Sequence, residues 1–237
     1  MTEAEWLAVA DPEAVADRVW HTASERQIRL IACGCCRLAW DWLIGERSRT
    51  AVEVSERYAD GLASSSELAD AVYYAEAAVF AIDRKRERYD CEQRAIRGGW
   101  LHPDDDAAED GPIRLRDGTA ISFDVARLAA ECAEFSASAP PWILQSRPEP
   151  IFSFAVVRDV VGNPFRPVTV DPSWRTSDAV LLAKGIYEER AFDRMPILAD
   201  ALQDAGCTDE NVLNHCRYPQ QVHFRGCWVV DTVLGKA

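Results

Sequence analysis

The sequence has no long apolar run and no excess of positive charge, and each absence excludes a class of protein. No stretch approaches the ~20 consecutive apolar residues that a membrane-spanning helix needs, so no membrane association is expected. The 26 lysines and arginines are outnumbered by 39 acidic residues, which gives a formal net charge of −13. This charge opposes binding to nucleic acid or to an anionic membrane surface. The N-terminus, Met1 to Trp6, lacks the basic start and apolar stretch of a signal peptide, which predicts a cytoplasmic protein.

Recognisable catalytic motifs are also missing. The sequence contains no Gly-x4-Gly-Lys-Ser/Thr phosphate loop, no Gly-x-Ser-x-Gly nucleophile elbow and no His-Glu-x-x-His zinc motif. What it does contain is typical of a globular fold, since 48% of its residues are hydrophobic and 27% are charged. No linker rich in glycine, serine or proline divides the 237 residues. We therefore expect one domain over residues 1–237.

Helix signals dominate this domain. Ser24 with Gln27, and Ser64 with Glu67, form capping boxes, each of which precedes a long apolar or alanine-rich stretch. Residues 151–161 fit both a strand and a helix, and a helix that ends at Gly162 is favoured. The fold class predicted is mainly α, as a single-domain irregular helical bundle.

One segment departs from the helical pattern. Residues 98–111 are polar and acidic and lack periodicity, and residues 112–123 alternate around Asp117-Gly118, a typical hairpin turn. We predict an excursion at residues 98–123 that consists of an acidic loop followed by a small β-hairpin near residues 112–123. The spacing of the acidic residues does not match a calcium-binding EF-hand loop.

The eight cysteines and four histidines suggest a metal site near the C-terminus. Imidazole nitrogen and thiolate sulfur are the ligands that zinc prefers, and four of them close a structural site. Here the candidates are Cys207, His215, His223 and Cys227, with Cys216 as a further possibility. On a helix His223 and Cys227 would share one face. The alternative is that these cysteines pack in the core as small apolar side chains.

A second cysteine group lies in an apolar stretch. Cys33 and Cys36 form a Cys-x-x-Cys, which in redox proteins opens a helix rather than lying inside one. Packing in the core is favoured, and the alternatives are redox chemistry or a metal half-site, in which the pair joins His223 and Cys227.

Two further residues have a structural and a functional interpretation. Asp231 is either a solvated carboxylate or a group that orients a histidine or binds metal, and Arg166 forms an internal ion pair or meets a partner's carboxylate.

Three phrases carry a family resemblance. They are Met1 to Leu7, then Gly162-Asn163-Pro164-Phe165-Arg166-Pro167-Val168, and His223 to Asp231, which contains Gly226-Cys227-Trp228. Together they resemble an uncharacterised family of bacterial proteins that is abundant in planctomycetes. The stretch Cys33 to Arg37 also resembles a feature of that family. The resemblance implies one continuous domain and transfers no catalytic role.

Two functions are consistent with these features. The first is a non-catalytic interaction or structural module with a protein partner, in which zinc stabilises the fold. The alternative is a metal- or thiol-dependent hydrolase that uses His215, His223 and Cys227, with Cys227 as a nucleophile or a ligand. The oligomeric state is left open by the sequence.

Overall fold

Helices form nearly all of the regular structure. A computed structural model describes residues 1–8, 12–97, 113–114, 120–121, 123–138 and 153–236. Its α-helices are α1 Glu3–Ala8, α2 Pro12–Thr22, α3 Glu25–Leu38, α4 Glu46–Ala59, α5 Ser65–Arg97, α6 Phe123–Ser138, α7 Phe154–Val161, α8 Ser177–Glu189, α9 Met195–Asp204, α10 Glu210–Arg217 and α11 Trp228–Leu234. Short 3-10 turns occur at Trp40–Trp42, Pro172–Trp174 and Phe192–Arg194. The predicted mainly α-helical fold is confirmed, and no described helix is both long and apolar enough to cross a membrane.

Both predicted capping boxes are present. The backbone N–H of Ser24 donates to Gln27 Oε1 at 2.9 Å, and the N–H of Gln27 donates to Ser24 Oγ at 3.3 Å, just before α3. Ser64 and Glu67 make the same reciprocal pair at 2.8 and 3.2 Å and start α5. These bonds satisfy N–H groups that the first turn of a helix leaves without partners.

The third helix ends earlier than its apolar pattern suggests. The apolar pattern that follows Ser24 continues to Trp42, but α3 stops at Leu38 and the chain tightens into the 3-10 turn Trp40–Trp42. The guanidinium of Arg49 donates to the carbonyl oxygens of Leu43 and Trp40 at 2.8 and 3.2 Å. Because this side chain satisfies both carbonyls, the backbone can leave the helical path there.

The chain divides into two compact units. The terminal unit comprises Met1–Gly34 and Ser153–Ala237, and the central unit comprises Cys35–Phe152, so the division falls inside α3. The single domain expected over residues 1–237 stays a prediction.

In the terminal unit, α8 to α11 surround a common core. The fully buried side chains are aliphatic or sulfur-containing, and they include Ile186, Met195, Leu198, Leu202, Cys207, Cys227 and Val230. Burial of apolar surface at about 25 cal/mol per Å² is the main stabilising contribution here.

In the central unit, alanines let α4, α5 and α6 approach one another closely. Ala51, Ala75 and Ala137 are fully buried in one cluster. The hydroxyl of Ser55 donates to the backbone carbonyl of Ser136, which joins α4 to α6. A small side chain at each crossing shortens the distance between helix axes.

The predicted excursion at residues 98–123 lies mostly outside the described residues. Within it, Ile113–Arg114 (β1) and Ala120–Ile121 (β2) pair antiparallel, with Ile113 opposite Ile121. Residues 98–112 and the turn at Asp117-Gly118 are outside the described ranges. The acidic loop and the hairpin therefore stay predictions.

Candidate metal centre

Four side chains with metal-binding atoms meet inside the terminal unit. They are Asp159 on α7, His215 on α10, His223 in the loop after α10, and Cys227 directly before α11. Their ligand atoms all lie within 4.8 Å of one another. Asp159 and Cys227 are fully buried, while the side chains of His223 and His215 are 4% and 11% exposed.

Two of the four measured separations between ligand atoms are close to the edges of a tetrahedron around a zinc ion, and the other two are shorter by about 0.4–0.5 Å. His215 Nε2 lies 3.2 Å from Cys227 Sγ and 3.3 Å from Asp159 Oδ1. His223 Nδ1 lies 2.8 Å from Asp159 Oδ1 and 3.7 Å from Cys227 Sγ. Zinc bond lengths give tetrahedral edges of about 3.3 Å between nitrogen or oxygen ligands and about 3.6 Å between nitrogen and sulfur.

Helix α7 places Asp159 at the cluster. The helix forms over Phe154–Val161 and ends at Gly162, as favoured from the sequence. Gly162 has φ of +73°, and its N–H donates to the carbonyl of Arg158 at 3.0 Å. The backbone N–H of Phe224 donates to Asp159 Oδ2 at 2.8 Å, which leaves Oδ1 facing both histidines.

A turn, rather than a helix face, brings His223 and Cys227 together. These two residues would share a face only on a helix, and α11 starts only at Trp228. The N–H of Cys227 donates to the carbonyl of Phe224 at 2.9 Å, and Gly226 adopts φ of +95°. A Cβ at Gly226 would lie 2.8 Å from Leu30 Cδ1, so both the turn and its packing require glycine.

Burial and hydrogen bonding act in opposite directions on the pKa values of three groups in the cluster. Burial works to raise the pKa of Asp159, but hydrogen bonds from His215 and His223 and their charge lower it on balance. Burial lowers the pKa of His215 even though Asp159 opposes this change. Burial also raises the pKa of the Cys227 thiol well above its usual value, although the N–H groups of Val230 and Val229 favour its thiolate.

Trp228 determines which nitrogen carries the proton when the His215 ring is neutral. The indole N–H of Trp228 lies 3.2 Å from His215 Nδ1. An indole nitrogen can only donate, so Nδ1 accepts and the proton of the neutral ring is on Nε2. That proton points to Asp159 Oδ1 and Cys227 Sγ.

Cys207 is the predicted ligand that the structure leaves outside the cluster. It is fully buried in the apolar core of the terminal unit, where burial raises the pKa of its thiol. Cys216 is also buried, and its pKa is raised to about 12. Asp159, rather than Cys207, is the fourth residue with a potential ligand atom in the cluster.

The remaining candidates also lie outside the metal cluster. Cys33 and Cys36 are buried inside α3 and do not belong to it. Asp231 is not a solvated carboxylate, because it is buried and Arg26 donates to its two oxygens at 2.5 and 3.2 Å. Arg166 forms the internal ion pair that was favoured, with its Nε 2.6 Å from Glu3 Oε1.

Asp159 is the cluster residue that sequence reasoning missed. Within Val-Val-Arg-Asp-Val-Val it has no histidine or cysteine neighbour, so its spacing carries no ligand pattern. One signal was available. An acidic residue in the middle of an apolar helical turn is rarely buried unless it is paired, so Asp159 required a partner elsewhere in the fold.

Comparisons with known proteins found no match: no family model, no curated protein and no solved structure corresponds to this chain. Function is therefore inferred from the cluster itself. Two imidazoles, one thiol and one carboxylate, buried together, can hold a divalent metal ion.

Proposed function

We propose that the terminal unit is a non-catalytic structural and interaction module whose fold is stabilised by a zinc ion at Asp159, His215, His223 and Cys227. The observation that carries this proposal is the convergence of four buried ligand atoms within 4.8 Å. These ligands come from α7, α10, the following loop and the start of α11. One ion would therefore join segments that are distant in the sequence, and its binding free energy would add to folding.

The charge of the cluster favours a cation over packing alone. Among the described residues, no lysine or arginine forms an ion pair with the fully buried carboxylate of Asp159. Its oxygens contact the imidazoles of His215 and His223 and the N–H of Phe224 instead, and removing a carboxylate from water is costly. A divalent ion bound to Asp159 and to the Cys227 thiolate balances both negative charges.

The donor set favours zinc among the divalent ions. Calcium and magnesium prefer oxygen ligands and six or more of them. Two imidazole nitrogens, one sulfur and one oxygen suit a tetrahedral zinc ion. The separations between His215 and Asp159 and between His223 and Cys227 are close to those that zinc bond lengths give.

The same geometry supports a structural role more than the alternative hydrolase. Four protein ligands fill a tetrahedron, whereas a catalytic zinc keeps one position for water or substrate. As a nucleophile, Cys227 would need exposure and a low pKa, but it is fully buried and its pKa is raised. A reducing cytoplasm, which we propose as its location, suits a protein whose eight cysteines are all free thiols.

The direct test is elemental mass spectrometry on untagged protein, combined with a thiol count. We expect about one zinc per chain, with Cys227 protected until a chelator is added. Asp159→Asn and Cys227→Ala should each lower zinc retention by at least tenfold, because each substitution removes one of the four proposed ligands. Cys207→Ala is the matched control, because it deletes an equally buried thiol outside the cluster.

The outcomes separate the alternatives. Retention of zinc by Cys207→Ala, with loss in Asp159→Asn, supports the proposed ligand set. Loss in Cys207→Ala with retention in Asp159→Asn contradicts it. Purified protein that takes up no zinc even at micromolar free ion would overturn the metal proposal altogether.

A further inference from the structure

A pocket in the terminal unit is lined in part by Trp228, the residue whose indole N–H donates to His215. Its volume is about 600 Å³, and α7, α11 and the segment from Arg166 to Arg175 line it. The Trp228 ring forms part of the wall. A Cβ at Gly162 would lie 3.2 Å from this ring, so the glycine that ends α7 also makes room for the indole.

One wall of the pocket offers unpaired backbone groups. Val168, Thr169 and Val170 have neither helix nor turn structure, and within the described part of the chain their N–H and C=O groups have no hydrogen-bond partner. Exposure alternates along this segment, with Val168 and Val170 half-buried and Thr169 exposed. Pro167 and Pro172 bound it and keep the preceding residues extended. Such a segment can pair with a second extended chain.

The same pocket carries positive charge in an otherwise acidic protein. Arg175 and Lys236 both line it. Arg175 Nε donates to the carbonyl of Val233 at 2.9 Å, and no carboxylate pairs with this guanidinium among the described residues. Gly235 lets the guanidinium lie close, since a Cβ there would be 3.1 Å from Arg175 Nη2. A fixed guanidinium with free N–H groups is suited to a carboxylate.

We propose that this pocket binds the free C-terminus of a protein partner in an extended conformation. The backbone of Val168 to Val170 would pair with the partner's backbone, and Arg175 would bind its terminal carboxylate. Charge complementarity favours a C-terminus as the ligand. An extended chain paired with Val168 to Val170 can end in a carboxylate, and the Arg175 guanidinium supplies the matching positive charge. This inference rests on the proposed interaction role and names the class of partner.

Two substitutions distinguish binding of the terminal carboxylate from pairing with the peptide backbone. Arg175→Gln removes the guanidinium and should affect only ligands that carry a terminal carboxylate. Thr169→Pro removes one backbone N–H without changing charge and should weaken extended peptides but not small carboxylates. Arg194→Gln is the matched control, since Arg194 is an exposed arginine of the same unit outside the pocket and pairs with Glu189 at 3.1 Å.

The experiment uses the full chain, with its zinc content measured, on an array of C-terminal peptides with free carboxylates and on the same array with amidated ends. Peptides selected on the first array are then measured in solution by fluorescence anisotropy. We expect amidation and Arg175→Gln each to weaken binding at least tenfold, Thr169→Pro to weaken it several-fold, and Arg194→Gln to leave it unchanged. Melting curves of each variant show that the fold is retained.

Several results would overturn the inference. The first is equal binding to the free-carboxylate and amidated arrays, and the second is binding that is unchanged in Arg175→Gln. The third is that benzoate, a small carboxylate without a peptide backbone, binds as tightly as any peptide. Zinc-loaded protein that binds no peptide refutes the pocket assignment and leaves the zinc proposal standing. Peptide binding by protein that takes up no zinc even at micromolar free ion supports the pocket and refutes the zinc proposal.

Discussion

The indole N–H of Trp228 donates to Nδ1 of His215, on the side of the imidazole that faces away from Asp159 and Cys227. Metal-bound histidines normally use the second nitrogen as a donor, to a carboxylate or a carbonyl. Here that nitrogen is an acceptor. If Nε2 binds zinc, Nδ1 must carry the proton, and Trp228 can no longer donate to it.

Trp228→Phe is therefore expected to tighten zinc binding. Removal of the indole N–H destabilises the metal-free form by about 1 kcal/mol and leaves the zinc-bound form unaffected, which corresponds to about a fivefold lower Kd. Competition with a chromophoric zinc chelator measures this change. Trp174→Phe, at a half-buried tryptophan outside the cluster, is the control. A weaker affinity in Trp228→Phe would contradict the proton assignment on His215.

Zinc should also stabilise the metal-stripped protein in a concentration-dependent way. A ligand that binds only the folded state adds about 2.7 kcal/mol at a free concentration of 100 times its Kd. Thermal melting with increasing zinc measures the gain, and hydrogen exchange should show it in α10 and α11. Magnesium serves as the ion control, because it requires oxygen ligands. A similar shift in Cys227→Ala would show that the effect comes from zinc bound elsewhere.

Local features of the sequence predicted the helices well. Ser24 with Gln27 and Ser64 with Glu67 act over three residues, so their capping bonds can be recognised without the fold. Gly162 likewise marks the end of α7 through its own backbone conformation.

The candidate site was only partly predictable, because its contacts are long-range. His223 and Phe224 contact Asp159 across 64 and 65 residues. Spacing patterns relate residues only a few positions apart, so they cannot predict these contacts. The turn before Cys227 could not be predicted from the sequence for a different reason. A separation of four residues fits a helix, and only the positive φ of Gly226 shows that the chain turns there instead.

Gly34 should not tolerate even a methyl group, although it lies in the middle of α3. A Cβ there would lie 2.5 Å from Val156 Cγ1 on α7, and the ring of Phe224 is 3.4 Å away. We expect Gly34→Ala to destabilise the protein by about 1–3 kcal/mol, as overpacking does. Because Val156 and Phe224 adjoin the α7 and loop residues of the metal cluster, zinc affinity should fall as well.

Gly185→Ala is the matched comparison in α8. Its nearest neighbour would be Arg194 Nη1 at 4.0 Å, so the methyl group meets no obstacle. Alanine is favoured over glycine inside a helix by roughly 0.5–1 kcal/mol, and Gly185→Ala should stabilise the protein by that amount. Denaturant unfolding of both variants decides the matter. A stabilised Gly34→Ala would show that α3 and α7 do not approach as closely as described.

Glu134 in α6 should make stability depend on pH in the central unit. Burial raises the pKa of this carboxyl, and the nearby charges of Glu76 and Glu131 add to the effect, while Arg127 opposes it. A carboxyl whose folded pKa is raised favours the folded state when protonated. The free energy of unfolding therefore decreases as pH rises from the unfolded pKa of 4.5 through the higher folded pKa.

We expect Glu134→Gln to raise the melting temperature at pH 7 and to give much less benefit at pH 4, which lies below the unfolded pKa, so that Glu134 is mostly protonated in both states. Melting curves at the two pH values test this prediction. Glu53→Gln is the control, because Glu53 is an exposed carboxylate on α4 of the same unit. A gain for Glu134→Gln that is equal at both pH values would assign the effect to packing rather than to charge.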